Sequence, residues 1–312
     1  MKFKYIICMI FFFLPITTAG ATEKMTVLLD WFVNPDHATL VIAQEKGFFA
    51  KHGLDVELIA PADPNDPPKL VAAGKADLAI SYQPQLHMQV EQGLPLKRIA
   101  TLVATPLNSL VVLKDGPIKT LADLKGKKIG YSVGGFETAL LTAMLAPHGI
   151  KLSDLTLINV NFSLSPSLLS GQVDAVVGAF RNFELNQMDI EGYPGRAFYP
   201  EEEGVPAYDE LIIIANSEKL DDPRLRPFVA ALEDAVQFLV NHPGESWQLF
   251  VKGHPELDDD LNRRAWAATL PRFALRPAAL DTGRYERFSA FMEAQGLITK
   301  TRPVSDYAVA LD

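Results

Sequence analysis

Apolar residues along this chain fall into two alternating rhythms. Val27 to Leu29 is a short apolar run of strand type, which breaks at Asp30-Trp31 into a polar and aromatic segment with Asn34, a turn-favouring Pro35-Asp36, and His37. From Leu40 to Phe49 the apolar positions recur at three- and four-residue spacing, predicting a helix that Gly53 stops. Leu54 to Ile59 alternates as a strand, and Pro61 to Pro68 is a polar, proline-rich loop. A helix ending at Gly74 and a strand from Ala76 to Tyr82 follow. This β-α-β-α-β order predicts a mostly parallel sheet with right-handed crossovers.

The same order then recurs. Lys127 to Val133 reads as a strand, Gly134-Gly135 as a tight turn, and Phe136 to Leu145 as a helix. His148-Gly-Ile-Lys-Leu at the start of the run to Ile158 parallels His52-Gly-Leu-Asp-Val, and Leu168 to Ala179 parallels Leu70 to Ser81. In both of the latter, a helix ends at glycine and an aspartate precedes a buried strand. Two copies of one α/β unit predict two similar lobes. The apolar runs flanking Thr105 to Ser109, and the run Tyr208 to Asn216, are the expected crossings between them. Helices are expected at Leu225 to Val240, Pro243 to Lys252, Asp258 to Leu270 and Thr282 to Gln295. Residues 22–107 with 209–312 are then expected to form one lobe and 108–208 the other, joined by two hinge strands that allow closure on a ligand.

The first 21 residues have a separate character. Lys2 and Lys4 precede an apolar run from Tyr5 to Ile16, and Ala19-Gly20-Ala21 has the small-residue pattern of a cleavage site. Export with cleavage near Ala21 is expected. Cys8, the chain's one cysteine, lies inside that apolar run and not at its end, so it is not placed for lipid attachment. The exported chain should then carry no disulfide and no cysteine metal site. Losing Lys2 and Lys4 leaves 27 basic against 38 acidic residues, a formal charge of −11. That balance, without a basic run, argues against nucleic acid and anionic lipid as partners.

Catalytic signatures are missing. There is no Gly-x-Ser-x-Gly elbow, no His-Glu-x-x-His, no dinucleotide or phosphate loop, and the six histidines lack metal spacing. No cofactor and no metal are expected. The chemistry concentrates instead where strands should end. Trp31 offers a flat ring, with Asn34 and His37 as polar groups beside it. Phe180-Arg-Asn-Phe-Glu184 follows the second-copy strand where Tyr82-Gln-Pro-Gln85 follows the first, so both clusters should face the cleft. Asn182 and Glu184 can bind a heterocycle edge or cap a helix, and Gly134-Gly135 can hold an anion or carbonyl oxygen or simply turn the chain. Trp247 and Trp266 fall on apolar helical stripes and read as core.

The run Leu28-Leu-Asp-Trp-Phe-Val-Asn-Pro-Asp-His37, with Glu45-Lys-Gly-Phe-Phe49, Ser81-Tyr82, Leu124-Lys-Gly-Lys-Lys-Ile-Gly-Tyr131 and Gly178-Ala-Phe-Arg-Asn-Phe-Glu184, resembles the ThiY-type thiamine-precursor binding proteins. The likeness extends to His242-Pro-Gly-Glu-Ser-Trp247 and Glu256-Leu-Asp-Asp-Asp-Leu-Asn262. It implies an α/β, two-lobed type II periplasmic binding protein, monomeric, serving the permease and ATPase subunits of an ABC importer. The implied ligand is a 4-amino-2-methylpyrimidine, such as the N-formyl-aminomethyl form or hydroxymethylpyrimidine. The candidate ligand-binding set is Asp30, Trp31, Asn34, His37, Ser81, Tyr82, Gly134, Gly135, Glu137, Asn182 and Glu184. Other solutes of exported binders (a riboflavin precursor, a sulfonate or nitrate) remain alternatives, although Trp31 and Tyr82 favour a ring. The chain also resembles eukaryotic hydroxymethylpyrimidine phosphate synthases, but it lacks their cysteine-rich motif, and the loop from Pro61 to Pro68 lacks a lysine.

Overall fold

A strand rich in β-branched and aliphatic residues, β1 (Glu23–Leu28), occupies the middle of a parallel trio with β2 (Leu54–Ile59) and β3 (Leu78–Ser81). The structure, a computed structural model, describes residues 22–311. The expected leader, with Cys8 and the cleavage site near Ala21, lies outside the described residues.

Helices α1 (Ala38–Glu45), α2 (Phe48–Lys51) and α3 (Pro67–Ala72) connect these strands, and α4 (Gln83–Glu91) leads to β4 (Leu96–Val103). The single helix expected over Leu40 to Phe49 is divided at Gly47, whose φ of 74° ends one helical run and starts the next. Helix α4 was not marked by the apolar pattern, because its glutamines are buried and blur the stripe.

A second sheet is built from β5 (Asn108–Leu113), β6 (Lys128–Tyr131), β7 (Thr156–Asn159), β8 (Ala175–Phe180) and β9 (Gly195–Phe198). Helices α5 (Phe136–Leu145), α6 (Leu164–Leu169) and α7 (Glu184–Ile190) connect its members. The chain then returns to the first sheet as β10 (Leu211–Asn216). The strand orders are β2-β1-β3-β10-β4 and β7-β6-β8-β5-β9. Each sheet therefore repeats one plan, and in each only the fourth strand runs antiparallel to the rest. That odd strand is the one that arrives by a crossing from the other lobe. Both crossing strands are interior to their sheets, where Ile212, Ile213 and Val111 are fully buried.

The C-terminal helices are α8 (Leu225–Asn241), α9 (Pro243–Gly253), α10 (Asp260–Thr269) and α11 (Thr282–Ala294). Helix α8 buries Phe228, Leu232, Val236 and Leu239, and Phe228 stacks on Phe49 with ring centres 5.4 Å apart. Each such side chain contributes about 1.5–3 kcal/mol by leaving water. Trp247 and Trp266 are buried against each other and Phe250, as their apolar stripes predict. The tail is tied to the first sheet by Arg98, fully buried, which donates to the carbonyls of Pro277, Ala278 and Val309. No helix among the described residues is long and apolar enough to cross a membrane.

At the rim of α8, Asp234 accepts from Lys51 at 2.8 Å and His52 at 3.0 Å, which holds its carboxyl below the ordinary range. These groups remain largely in water, so Asp234→Asn should cost less than about 1 kcal/mol in a urea unfolding curve.

Candidate functional site

The loops that follow β1, β3, β6 and β8 converge between the two sheets, at the carboxyl ends of the strands. After β1 the chain makes a 3-10 turn, Pro35–His37, capped by Asn34, whose Oδ1 accepts the Asp36 N–H at 2.8 Å. The Asn34 N–H points at His37 Nδ1, 3.3 Å away, so that nitrogen carries the lone pair and Nε2 carries the proton. Nε2 donates to Asp30 Oδ1 at 2.9 Å, and the Tyr82 hydroxyl donates to Asp30 Oδ2 at 2.8 Å. Burial, reinforced by Asp30, pushes the Tyr82 phenol well above its usual range, so Tyr82 remains a donor.

The facing lobe contributes two more carboxyls. Glu137, in the first turn of α5, accepts the Ser132 N–H at 2.7 Å, and burial pushes its pKa up to about 8. Glu184 begins α7 and accepts the Phe180 N–H at 2.6 Å, with burial raising its pKa to about 7. Gly178 gives Glu137 its space. Its φ of 100° suits glycine alone, and a Cβ there would fall on the Glu137 carboxyl. Asp36, buried from the first lobe, is raised to about 6 by desolvation, against the opposing effects of His37, Thr269 and Asn182.

These groups enclose a small cavity between the lobes. Of the expected residues, Asp30, Trp31, Asn34, His37, Tyr82, Glu137 and Glu184 line it. Ser81, Gly134, Gly135 and Asn182 do not. Ser81 is fully buried and its hydroxyl donates to Gln85 Oε1 at 2.9 Å. The Gly134 N–H, a candidate donor to an anion or carbonyl oxygen, is taken by Asn65 Oδ1 at 2.8 Å, and Gly135 sits exposed beside it. Asn182 turns away from the cavity and donates to Asp36 Oδ1 at 2.6 Å and Thr269 Oγ1 at 2.7 Å. It bridges the lobes and holds one of the carboxyls.

Tyr82 also changes role. Phe136 stacks on it at 4.6 Å and 12°, so one of its faces is occupied. Sequence reasoning missed Asp36, Phe136, Leu164, Gly178, Phe180 and Phe183 as lining residues. Asp36, Phe180 and Phe183 lie inside segments already singled out, and Phe136 opens the helix after Gly134-Gly135. Leu164 had no signal beyond its apolarity. Trp31 forms an aromatic wall of the cavity, braced at its edge by Phe162 at 4.6 Å. Among the described lining residues there are four carboxyl side chains and no lysine or arginine. Such a cavity suits a flat ligand whose edge offers amino hydrogens, and it repels anions.

Two repeated sheets joined by two crossings, with a cavity between them, define the two-lobed fold of the periplasmic binding proteins. The alkanesulfonate-binding protein from Xanthomonas axonopodis pv. citri, solved with MOPS bound, shares it at a TM-score of 0.72 and 16% identity, over 92% of this chain and 98% of that one. The chain belongs to the NMT1/THI5 like family, which it matches over residues 34–246. It is 56% identical to a Haemophilus influenzae protein named for thiamine biosynthesis, over 94% of this chain and 93% of that one. It is 34% identical to the formylaminopyrimidine-binding protein of Halalkalibacterium halodurans, over 76% of this chain and 72% of the relative.

Proposed function

We propose that this protein is the solute-binding subunit of an ABC importer and captures an aminopyrimidine precursor of thiamine in the interlobe cavity. The observation that carries the reading is the lining itself, four carboxyl side chains and a set of aromatic walls with no basic side chain among them. A 4-aminopyrimidine edge alternates an amino donor with ring-nitrogen acceptors. A carboxylate accepts from the amino group, and a carboxyl still protonated near neutrality, as Glu137 is, donates to a ring nitrogen. The relatives named for thiamine biosynthesis and formylaminopyrimidine binding support the same ligand class.

In this reading residues 22–107 with 209–312 form one lobe and 108–208 the other. Trp31 stacks on the ring, Glu184 and Glu137 meet its edge, and Asp30 is held in place by His37 and Tyr82. The protein is exported to the periplasm and acts as a monomer on a permease and its ATPase.

Synthase chemistry of the kind seen elsewhere in the family finds little support here. No lysine lines the cavity among the described residues, so the site offers no side-chain amine for covalent chemistry. Native mass spectrometry of protein isolated from its own periplasm tests the proposal, because a retained ligand reports its mass. A retained sulfonate or a flavin would overturn it.

A further inference from the structure

Two features singled out in the sequence lie outside the ligand cavity, the proline-rich loop from Pro61 to Pro68 and the turn Gly134-Gly135. The structure joins them. Asn65, in the loop of the first lobe, accepts the Gly134 N–H through Oδ1 at 2.8 Å and donates to the Ser132 carbonyl through Nδ2 at 3.1 Å. One side-chain amide thus pairs with the backbone of the other lobe in both directions, as a peptide group would. The amide is aimed in advance. Asp63 Oδ1 accepts both the Asn65 N–H at 2.8 Å and its Nδ2 at 2.9 Å, which also holds the Asp63 carboxyl below the usual range. Prolines at 61 and 64 stiffen the loop that carries it, and Pro67-Pro68 opens α3 directly after it. Gly134 accepts the approach without obstruction, since a Cβ there would only reach ordinary contact with Asn65 Oδ1, at 3.5 Å.

We propose that Asn65 is the clasp of this protein, a positioning residue that never touches the ligand but holds the lobes shut around it and so sets its residence time. The retention half of this inference rests on the ligand reading above; the closure half does not. The clasp's bonds to Ser132 and Gly134 exist only when the lobes are together, so they act on the closed state and on escape from it. Asn65 also occupies the Gly134 donor at the head of α5, so that N–H is not available to an anion or carbonyl oxygen of a ligand.

The test uses N-formyl-4-amino-5-aminomethyl-2-methylpyrimidine and the variants Asn65→Ala and Asn65→Asp. Stopped-flow tryptophan fluorescence should show koff raised about tenfold in Asn65→Ala with kon within about twofold, as expected for two lost hydrogen bonds. Asn65→Asp keeps the acceptor for the Gly134 N–H but sets a carboxylate oxygen against Asp63 Oδ1 and the Ser132 carbonyl, so it should raise koff at least as much as Asn65→Ala. Closure is read without ligand from spin labels at Lys75→Cys and Lys125→Cys, both exposed and on opposite lobes. Asn65→Ala should shift that distance distribution towards longer values. An unchanged koff, a loss confined to kon, or an unchanged distribution would overturn the clasp, as would a lowered melting temperature of the free variant with koff unaltered. If the parent protein does not bind the pyrimidine, the ligand reading fails and the distance distribution alone decides the clasp.

Discussion

In calorimetric titration, formylaminopyrimidine should bind the wild-type protein tightly, while taurine and nitrate give no signal at comparable concentrations. Trp31→Ala and Glu184→Gln should each weaken the pyrimidine by about 5–150-fold. The size follows from the contacts involved. A base-like ring stacked on an aromatic side chain is worth roughly 1–3 kcal/mol, and leaving a buried polar edge unpaired costs about the same. The anions fail for a different reason. Four carboxyls face the cavity, and although Glu137 keeps its proton near neutrality, no basic side chain among the described lining residues offsets those that ionise. A negative charge about 5 Å from one ionised carboxylate is disfavoured by roughly 3 kcal/mol at an effective dielectric constant of about 20. Neither substitution should unfold the protein, since both side chains end at the cavity. Tight taurine binding with no pyrimidine signal would sink the ligand assignment. Pyrimidine affinity unchanged in both variants would remove Trp31 and Glu184 from the site.

How much of this could be read beforehand depends on what kind of signal each residue leaves. The two-sheet plan was legible because His52-Gly-Leu and His148-Gly-Ile, and the two helix-glycine-strand phrases, repeat at the level of local structure. The strand ends pointed to the loops that now meet, which placed Asp30, Trp31, Glu137 and Glu184 on one cavity. What remained hidden was the division of labour inside those loops. Asn182 and Glu184 are two residues apart and equally polar, yet one bridges the lobes to Asp36 and Thr269 while the other lines the cavity. Thr269 lies 87 residues from Asn182, and nothing local to either records the pairing. Asn65 was likewise invisible as a partner of Gly134, because the two lie 69 residues apart and nothing local to either records the contact. Tyr82 looked like a free aromatic face, since no local pattern tells that Phe136 covers it.

The ligand-free protein should lose stability as pH is raised from 6 to 8, by on the order of 3–5 kcal/mol. Glu137, Glu184, Glu210 and Asp36 are all buried, with folded-state pKa values of about 8, 7, 7 and 6, against 4.5 for a free Glu and 3.8 for a free Asp. Between those two values the folded chain keeps a proton that the unfolded chain has released. The folded state therefore binds more protons in this window, and the unfolding free energy falls with pH at up to about 1.4 kcal/mol per unit for each such group. Each contribution is complete below the unfolded pKa and is gone once the pH passes the folded one. Carboxyls held low, such as Asp63 and Asp222, push the other way only below the ordinary carboxylate range, and buried His87, lowered to about 3, offsets the loss by less than about 1 kcal/mol near pH 6–7. Glu184 and Glu210 each raise Glu137, so the three ionise in sequence and spread the loss over the interval. Glu137→Gln removes the last of them while an amide oxygen can still accept the Ser132 N–H. Relative to their values at pH 5.5, that variant should gain on wild type by about 1–3 kcal/mol by pH 8. Urea unfolding at a series of pH values measures both curves. A wild-type stability that is flat or rising between pH 6 and 8, or an unchanged slope in Glu137→Gln, would show that these carboxyls do not carry the protons assigned to them.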